Sequence, residues 1–186
     1  GFYQSIGYKV KGIFRGYIDD ITEYILLKKF ESNEQVPYEA NGSNRDGFTI
    51  SEDKSEESMK ILHEGLHRYV AKHVGDLRKK NPEITINLVV KNEDSQVIGG
   101  LMAYTTLKAV HTVRIWVDEN YRNQGYGREL LTTAERIATE NGCISGLVNT
   151  LSFQCPSFFQ KCGYEIFGVS DGYPDSIKEY FLIKRF

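Results

Sequence analysis

The most constraining feature of the sequence is a polar segment that joins a β-branched stretch to a helical one. Val110–Val117 predicts a buried strand, and Leu130–Ala138 carries apolar residues at the spacing of one helix face. Gly125 and Gly127 lie between them. A strand that turns through glycine into a helix presents unpaired N–H groups at the positive end of the helix dipole. The segment therefore predicts an anion-binding loop.

The residues around the glycines indicate which anion. Glycine lets the backbone approach a phosphate closely, and Arg122 and Arg128 add charge-assisted hydrogen bonds. A Walker-type loop is excluded, because no Gly-Lys-Ser/Thr follows the glycines. The pattern Arg122-x-x-Gly125-x-Gly127, preceded by Trp116-Val117-Asp118-Glu119, resembles the acyl-CoA pyrophosphate loop of the GNAT superfamily of N-acetyltransferases. The alternative is a Gly-rich turn that only caps a helix.

A second motif supports the resemblance. Phe158-Phe159-Gln160-Lys161-Cys162-Gly163-Tyr164 is similar to the family's Tyr-x-Lys-x-Gly-Phe ending, whose helix packs along the pantetheine arm. Phe159 stands where family members often have a tyrosine as general acid, and Ser152 where they often have asparagine. Phe159 cannot donate a proton to the departing CoA thiolate. The resemblance therefore implies that another acid or water donates it, that the thiolate leaves unassisted, or that the domain does not catalyse.

The resemblance implies acetyl-CoA as co-substrate and assigns its site. The backbone amides of Trp116 and Val117 are the implied catalytic contacts to the acetyl group. His111 and Asn149 lie on the two central strands. His111 is the candidate proton acceptor, with a structural or solvent-facing role as the alternative. The implied cofactor-binding residues are Ile115, Trp116, Val117, Arg122, Asn123, Gln124, Gly125, Tyr126, Gly127, Arg128, Ser152, Ser157 and Phe158.

His63-Glu64-Gly65-Leu66-His67 matches the H-E-x-x-H pattern of zinc hydrolases, which places two imidazoles on one helix face. Gly65 weakens the helix, Arg68 follows the second histidine, and no obvious third ligand follows. We interpret the two histidines as structural or surface residues, with a substrate-pocket role as the alternative, and expect no metal.

The order of elements resembles the GNAT fold, which implies an α/β (α+β) protein with a mixed central sheet flanked by helices. The fourth and fifth strands of the domain are expected to splay. Asp53 and Glu56 predict a capping box, and Gly99-Gly100 predicts a bulge. The predicted strands and helices cover Phe48–Ser51, Lys54–Val74, Ile84–Lys91, Gln96–Leu107, Lys108–Val117, a helix to Asn141 with Gly142 as C-cap, Cys143–Thr150, Ser157–Lys161, Tyr164–Val169 and Lys178–Arg185.

Residues 2–30 repeat residues 158–186 without a gap, with 14 identities over 29 positions. Duplication explains this better than convergence. We expect residues 1–31 to form a duplicated β-hairpin resembling the C-terminal end of a preceding GNAT domain, 32–46 a linker, and 47–186 the acetyltransferase domain. A lone hairpin is marginal in water, so we expect it to dock on the main domain or to pair with another chain. A homodimer through the sheet edge or this hairpin stays open.

Composition narrows the partners and the compartment. A formal net charge of −2 over 186 residues gives no electrostatic reason to expect nucleic acid. No apolar run approaches the ~18 residues of a membrane span, so no membrane partner is expected. Cys143, Cys155 and Cys162 form no C-x-x-C pair, which suits free thiols in a reducing cytoplasm.

Together these observations predict a cytoplasmic acetyl-CoA-dependent N-acetyltransferase acting on a primary amine of a small molecule or peptide. Direct attack in a ternary complex is favoured, because neither Cys155 nor Cys162 has a recognisable histidine partner. The alternative is a non-catalytic acyl-CoA-binding or scaffold domain of a tandem GNAT protein.

Overall fold

A computed structural model describes residues 2–5, 7–15, 22–27, 50–80 and 82–186. In chain order the elements are α1 (Phe2–Ser5), β1 (Lys9–Arg15), β2 (Thr22–Leu27), α2 (Glu56–Lys80), β3 (Thr85–Lys91), β4 (Val97–Thr106), β5 (Ala109–Val117), a 3-10 turn (Glu119–Tyr121), α3 (Tyr126–Glu140), β6 (Ser145–Leu151), α4 (Pro156–Lys161), β7 (Glu165–Ser170) and β8 (Glu179–Arg185). The chain divides into two compact units, residues 29–76 and a larger unit of residues 1–28 with 77–186.

The smaller unit contains most of the long helix α2, whose start differs from the predicted capping box. Asp53 Oδ1 accepts a hydrogen bond from the Ser55 amide at 2.8 Å, and Ser55 Oγ accepts one from the Ser58 amide at 3.3 Å. Ser55 is therefore the N-cap, since its hydroxyl satisfies an amide of the first helical turn. Asp53 supports this cap from outside the helix, and α2 begins at Glu56.

Part of the sequence prediction falls outside the described residues. The linker 32–46 lies there entirely, as do Phe48 and Thr49 of the predicted first strand. The remaining two residues of that strand, Ile50 and Ser51, are described and are not in a strand. None of the described helices combines the length and apolarity needed to cross a membrane.

In the larger unit, the described strands form one eight-stranded sheet in the order β2-β1-β7-β8-β6-β5-β4-β3. Among the described strands, β5 and β6 are the only parallel neighbours, and the other pairs are antiparallel. Helices α3 and α4 pack on one face, where Leu131, Phe159, Val110, Val148 and Leu182 meet in the main core. The predicted α/β architecture, a mixed sheet flanked by helices, is confirmed.

The two parallel strands separate toward their carboxyl ends. Their pairing ends at Thr112 and Val148. Beyond this point β5 stays paired with β4 as far as Val117, and β6 stays paired with β8 as far as Leu151. A gap therefore opens between β5 and β6, which is the splay expected of the strands predicted at Lys108–Val117 and Cys143–Thr150.

The bulge predicted at Gly99-Gly100 lies one residue earlier in β4. Val90 pairs with Gly99 and Lys91 with Val97, so the extra residue is Ile98, and both glycines are paired with β3. A Cβ on Gly100 would lie 2.8 Å from the Leu88 carbonyl oxygen, and one on Gly99 would lie 3.0 Å from the Trp116 carbonyl oxygen. Close approach of the neighbouring strands requires glycine at both positions, next to the bulge at Ile98.

A charged cluster lies under α3 that the sequence analysis did not identify. Glu135 is 8% exposed although it carries a carboxylate, and Lys184 Nζ of β8 lies 2.6 Å from its Oε2. The Tyr164 ring lies beneath the ammonium, 5.9 Å from Nζ to the ring centroid. Burial, followed by the nearby Glu135 carboxylate, raises the pKa of the Tyr164 hydroxyl. The lysine thus neutralises a carboxylate on the core side of the helix.

Candidate active site

The predicted anion loop begins where β5 ends. Asp118 Oδ1 accepts a hydrogen bond from the Asn120 amide at 3.0 Å and so caps the short 3-10 turn. The chain then passes through Asn123, with φ of 62°, and Gly125, with φ of 95°. Glycine adopts this left-handed conformation without steric cost. These two residues direct the chain into α3.

The N-terminus of α3 is built to bind an anion. Its N-cap is Gly125, so no side chain caps the helix. The first amides, those of Tyr126, Gly127 and Arg128, have no acceptor within the helix because of helix geometry. A Cβ on Gly125 would meet no atom within 4 Å, so the loop surface is open at that point. Open amides at the positive end of the dipole fit the pyrophosphate of coenzyme A.

Gly127 has a different role from Gly125. A Cβ at Gly127 would lie 3.4 Å from two ring atoms of Phe158. The glycine therefore lets α4 pack against the start of α3. Phe158 is half-buried beside the loop, and Ser157, its neighbour, is exposed. The structure thus brings the two sequence motifs together at one end of the sheet.

Both loop arginines are held by backbone carbonyls. Arg122 Nε donates to the Val117 carbonyl at 3.0 Å, and Arg128 Nη2 donates to the Lys161 carbonyl at 3.0 Å. Arg122 also lies 3.5 Å from the Glu119 carboxylate. A guanidinium has five N–H donors, so these bonds fix the side chains beside the loop and leave donors for an anion.

Strand geometry corrects the assignment of the backbone amides. The Asp118 amide donates to the Ile98 carbonyl of β4 at 2.8 Å. Since strand amides alternate in direction, the Trp116 amide belongs to the same ladder. The amides of Ile115 and Val117 therefore point the other way, toward the gap between β5 and β6. The Val117 carbonyl agrees, because it accepts from Arg122 rather than from β4. The Trp116 amide is thus engaged with β4, and the amides that face the gap are those of Ile115 and Val117.

Three other residues singled out from the sequence, Gln124, Ser152 and Phe159, lie in the loop, at the end of β6 and in the core, respectively. Gln124 Nε2 donates to the Asn120 carbonyl at 3.3 Å, which ties it to the loop. Ser152 Oγ accepts from the Lys178 amide at 3.3 Å, so it joins the end of β6 to the segment before β8. Phe159 is 3% exposed and packs edge-on against Phe158, with ring centroids 5.0 Å apart. Phe159 is therefore a core residue.

His111 and Asn149 lie on the sheet face opposite α3, close to the point where β5 and β6 separate. Val110 and Val148 belong to the core under α3, so the alternation of strand residues directs their neighbours to the other face. The His111 ring stacks on Tyr104, with centroids 4.9 Å apart and an interplanar angle of 4°. Burial lowers the pKa of His111 below its ordinary value, so the neutral imidazole is favoured.

A carboxylate that the sequence analysis missed lies next to Asn149. Asn149 Nδ2 donates to Glu179 Oε1 at 2.6 Å, and the Tyr173 hydroxyl donates to Glu179 Oε2 at 2.9 Å. The hydrogen bond to Glu179 is the main cause that raises the pKa of Tyr173. Both residues recur in the internal repeat, as Glu23 and Tyr17. That recurrence is the sequence signal that could have identified them.

The H-E-x-x-H segment lies within α2. The rings of His63 and His67 are tilted by 48°, with centroids 4.1 Å apart, and both residues are exposed. Within the described part of the chain, no group of three or more histidine, cysteine, aspartate or glutamate side chains is arranged to hold a metal ion.

Comparison with known proteins agrees with this geometry. The family described as acetyltransferase (GNAT) domain matches residues 85–166. Blasticidin-S acetyltransferase of Streptomyces morookaense is 36% identical over 94 residues, which cover 50% of this chain and 69% of that protein. A crystal structure of an acetyltransferase from Bacillus cereus is 33% identical with a TM-score of 0.69, and the match covers 74% of this chain and 98% of the other.

A more distant solved structure shares the fold. A Bacillus anthracis acetyltransferase in complex with acetyl coenzyme A is 15% identical, with a TM-score of 0.52, over 97% of this chain and 87% of the other. Residues 85–166, which match the GNAT family, contain the anion loop and the splayed strands. The chain therefore belongs to the GNAT superfamily and is an acetyl-CoA-dependent N-acetyltransferase.

Proposed function

We propose that the protein acetylates a primary amine of a small molecule or peptide by direct attack in a ternary complex, within the gap between β5 and β6. The observation that carries the proposal is the pair of amides, Ile115 and Val117, directed into this gap beside an uncapped helix N-terminus. When bound, acetyl-CoA supplies an acetyl group activated as a thioester. Preorganised N–H donors stabilise the negative charge that develops on the carbonyl oxygen during attack.

The cofactor is held at two places in this proposal. The amides of Tyr126, Gly127 and Arg128 bind the pyrophosphate, and the free guanidinium donors of Arg122 and Arg128 add to its binding. Phe158 lines the pantetheine arm. Ser152 and Ser157 lie at either side of the α4 start, where their exposed positions allow contact with the same arm.

The acceptor site is proposed around Glu179. An amine is protonated in neutral solution, and a carboxylate is the group that binds an ammonium. Asn149 and Tyr173 fix both carboxylate oxygens of Glu179 beside the end of the paired segment of β5 and β6. Glu179 is therefore proposed to bind and orient the amine, and the substrate class is a cationic amine.

The amine must lose a proton before or during attack. His111 is the proposed acceptor of this proton, because burial keeps its imidazole neutral. Attack of the amine nitrogen forms the amide bond and breaks the thioester bond, which releases N-acetylated product and coenzyme A. Since position 159 has no hydroxyl, we propose that the thiolate leaves without a protein acid and takes its proton from water.

A relative named for blasticidin S suggests where to look for the acceptor. That protein is a blasticidin-S acetyltransferase, so blasticidin S belongs in the first panel of amines together with a polyamine, an aminoglycoside and a peptide. The exposed thiol of Cys155 agrees with a cytoplasmic location, which we also propose.

The test is steady-state kinetics of acetyl transfer with this panel. Direct attack predicts intersecting lines in double-reciprocal plots with both substrates varied. Glu179→Gln is expected to lower kcat/KM for the amine by about 10- to 100-fold, mainly through KM, and to leave the affinity for acetyl-CoA unchanged. Glu165→Gln, at an exposed glutamate of β7, is the matched control. Parallel lines would contradict direct attack, and an unchanged KM would contradict the acceptor site.

A further inference from the structure

The N-terminal hairpin reproduces the local structure of the C-terminal one. Residue numbers differ by 156 between the two copies of the repeat. Gly7 and Gly163, which are equivalent, have φ of 92° and 91°. Each follows a helical segment, α1 in one copy and α4 in the other. The repeated sequence therefore has a repeated backbone conformation.

The strand register is also repeated. Gly12 pairs with Ile25 in the first hairpin, and Gly168 pairs with Phe181 in the second, which are equivalent pairs. Both hairpins carry an irregularity at the same place, between Val10 and Gly12 in one and between Ile166 and Gly168 in the other. A bulge shared at equivalent positions shows that the hairpins have the same form, beyond strand content alone.

The two hairpins are joined edge to edge in a symmetric way. β1 pairs antiparallel with β7, and the opposed residues are Gly12 and Gly168. These two residues are equivalent in the repeat. An antiparallel pairing centred on equivalent residues is the arrangement that a two-fold axis generates. Glycine suits the axis, because a residue opposed to its own equivalent would otherwise place two identical side chains against each other.

We propose that the β7 edge is a two-fold interface for the β7–β8 hairpin of a second acetyltransferase domain, and that the N-terminal hairpin occupies this interface within the chain. The first copy carries Tyr3 at the position of Phe159. A tyrosine at this position matches the motif of the family to which the chain belongs, so the partner that the hairpin imitates is an acetyltransferase domain. Covering β7 also protects an otherwise open sheet edge.

One contact distinguishes the internal hairpin from a second copy. Lys11 Nζ lies 3.0 Å from Asp171 Oδ1, across the β1–β7 pair. The residue equivalent to Lys11 in the second hairpin is Phe167, which cannot form this ion pair. The attachment of the hairpin to the same chain also raises its effective concentration at β7. Both effects favour the internal hairpin over a second molecule.

The interface is tested by displacing the hairpin in the full-length chain. Val10→Pro with Gly12→Pro removes two strand amides and disrupts β1. The double variant is expected to become a dimer, measured by light scattering, whereas the wild type stays monomeric. Retained acetyl-CoA affinity shows that the catalytic domain is folded. A double variant that binds acetyl-CoA and stays monomeric at 100 µM would overturn the proposal.

A single cysteine then tests the symmetry. With Cys155→Ser in all variants, Gly168→Cys in the proline background is expected to form an intermolecular disulfide, because residue 168 faces its own copy across the axis. Ile166→Cys is the matched control. In a pairing centred on residue 168, the two residues 166 of the dimer lie four positions apart along the strands, about 13 Å, which is beyond disulfide range. Equal cross-linking of both, or of Gly168→Cys with the hairpin intact, would overturn the proposal.

A second measurement avoids the prolines. Gly12→Cys with Gly168→Cys, in the otherwise intact chain, is expected to form an intramolecular disulfide, since opposed residues have Cα atoms about 5 Å apart. Gly12→Cys with Ser170→Cys, displaced along β7, is the control. Failure of the first pair, or equal oxidation of the second, would show that the hairpin does not pair in this register.

Discussion

Glu135 carries a carboxylate on the buried side of α3, where the neighbouring Leu131, Ala134 and Ala138 are core residues. A carboxylate in this position is tolerated because Lys184 neutralises it at 2.6 Å. The partners lie 49 residues apart in the chain, so no local pattern announces the pair. Glu135 alone was detectable from the sequence, as a charged residue within an apolar helix stripe; its partner required the fold.

Removing the lysine should therefore destabilise the protein strongly. Lys184→Met leaves Glu135 buried and unpaired, and the expected loss of unfolding free energy is about 3–5 kcal/mol. Urea denaturation measures this loss. The matched control is Glu135→Leu with Lys184→Met, which removes both charges and should recover most of the stability. If Lys184→Met alone is as stable as wild type, the Glu135–Lys184 ion pair does not contribute to the free energy of unfolding.

His111 gives a prediction about pH. Burial lowers its pKa below 6.5, so the folded protein binds fewer protons at this residue than the unfolded chain does. The stability that this residue contributes to the folded state is fully present above pH 6.5 and is lost as the pH falls through the lowered pKa. His111→Gln should weaken the pH dependence of unfolding in this acidic range. Titration of the ring protons by NMR checks the direction, and an apparent pKa at or above 6.5 would contradict it.

The conformation of the loop between β5 and α3 was largely predictable, because local chemistry dictates it. Glycine at 125 is required by its φ of 95°, and as N-cap it leaves the start of α3 without a side-chain cap. The Trp116 amide was expected in the gap but belongs to the β4 ladder, since the direction of an amide depends on which neighbour a strand pairs with. Glu179 was missed because its hydrogen-bond partner Asn149 lies 30 residues away.

At the scale of elements, most strands and helices were located well, but α2 runs to Lys80, beyond the predicted end at Val74, and the bulge of β4 lies one residue before the predicted glycine pair. The predicted strand Ile84–Lys91 begins one residue later, at Thr85, and the helix of the cofactor loop ends before Gly142 as expected. A glycine pair in a strand has the same appearance whether it forms a bulge or admits a neighbouring strand. Only the packing of β4 between β3 and β5 decides for Gly99 and Gly100.

The junction of β5 and α3 gives the prediction at this scale. Gly125→Glu places a carboxylate at the N-terminus of α3, where it blocks the amides and repels the pyrophosphate. We expect acetyl-CoA affinity to fall by more than about 100-fold, measured by calorimetry. Gly125→Ala is the control, because its strain in the left-handed region costs about 1–2 kcal/mol of stability without adding charge. Equal effects of the two substitutions would contradict the anion site.

At the scale of the whole molecule, the internal repeat has a structural consequence that composition could not reveal. The sequence predicted two similar hairpins and left their docking open. The register between β1 and β7 specifies which edges meet. That register is not encoded locally, since Gly12 and Gly168 carry no side chain that could select a partner.

The ion pair between Lys11 and Asp171 is one side-chain contact between the described residues of β1 and the segment after β7, and its contribution to docking is measurable. The two side chains are 30% and 46% exposed, so the expected coupling energy is only about 0.2–1 kcal/mol. Lys11→Glu places like charges together and should raise hydrogen exchange in β1 and β2 while the β7–β8 amides stay protected. Lys11→Glu with Asp171→Lys restores opposite charges and should restore the protection. If the β1 and β2 amides of all variants exchange at the same rate, the backbone pairing centred on Gly12 and Gly168 holds the hairpin without the ion pair. The preference for the internal hairpin over a second molecule then rests on its attachment to the same chain.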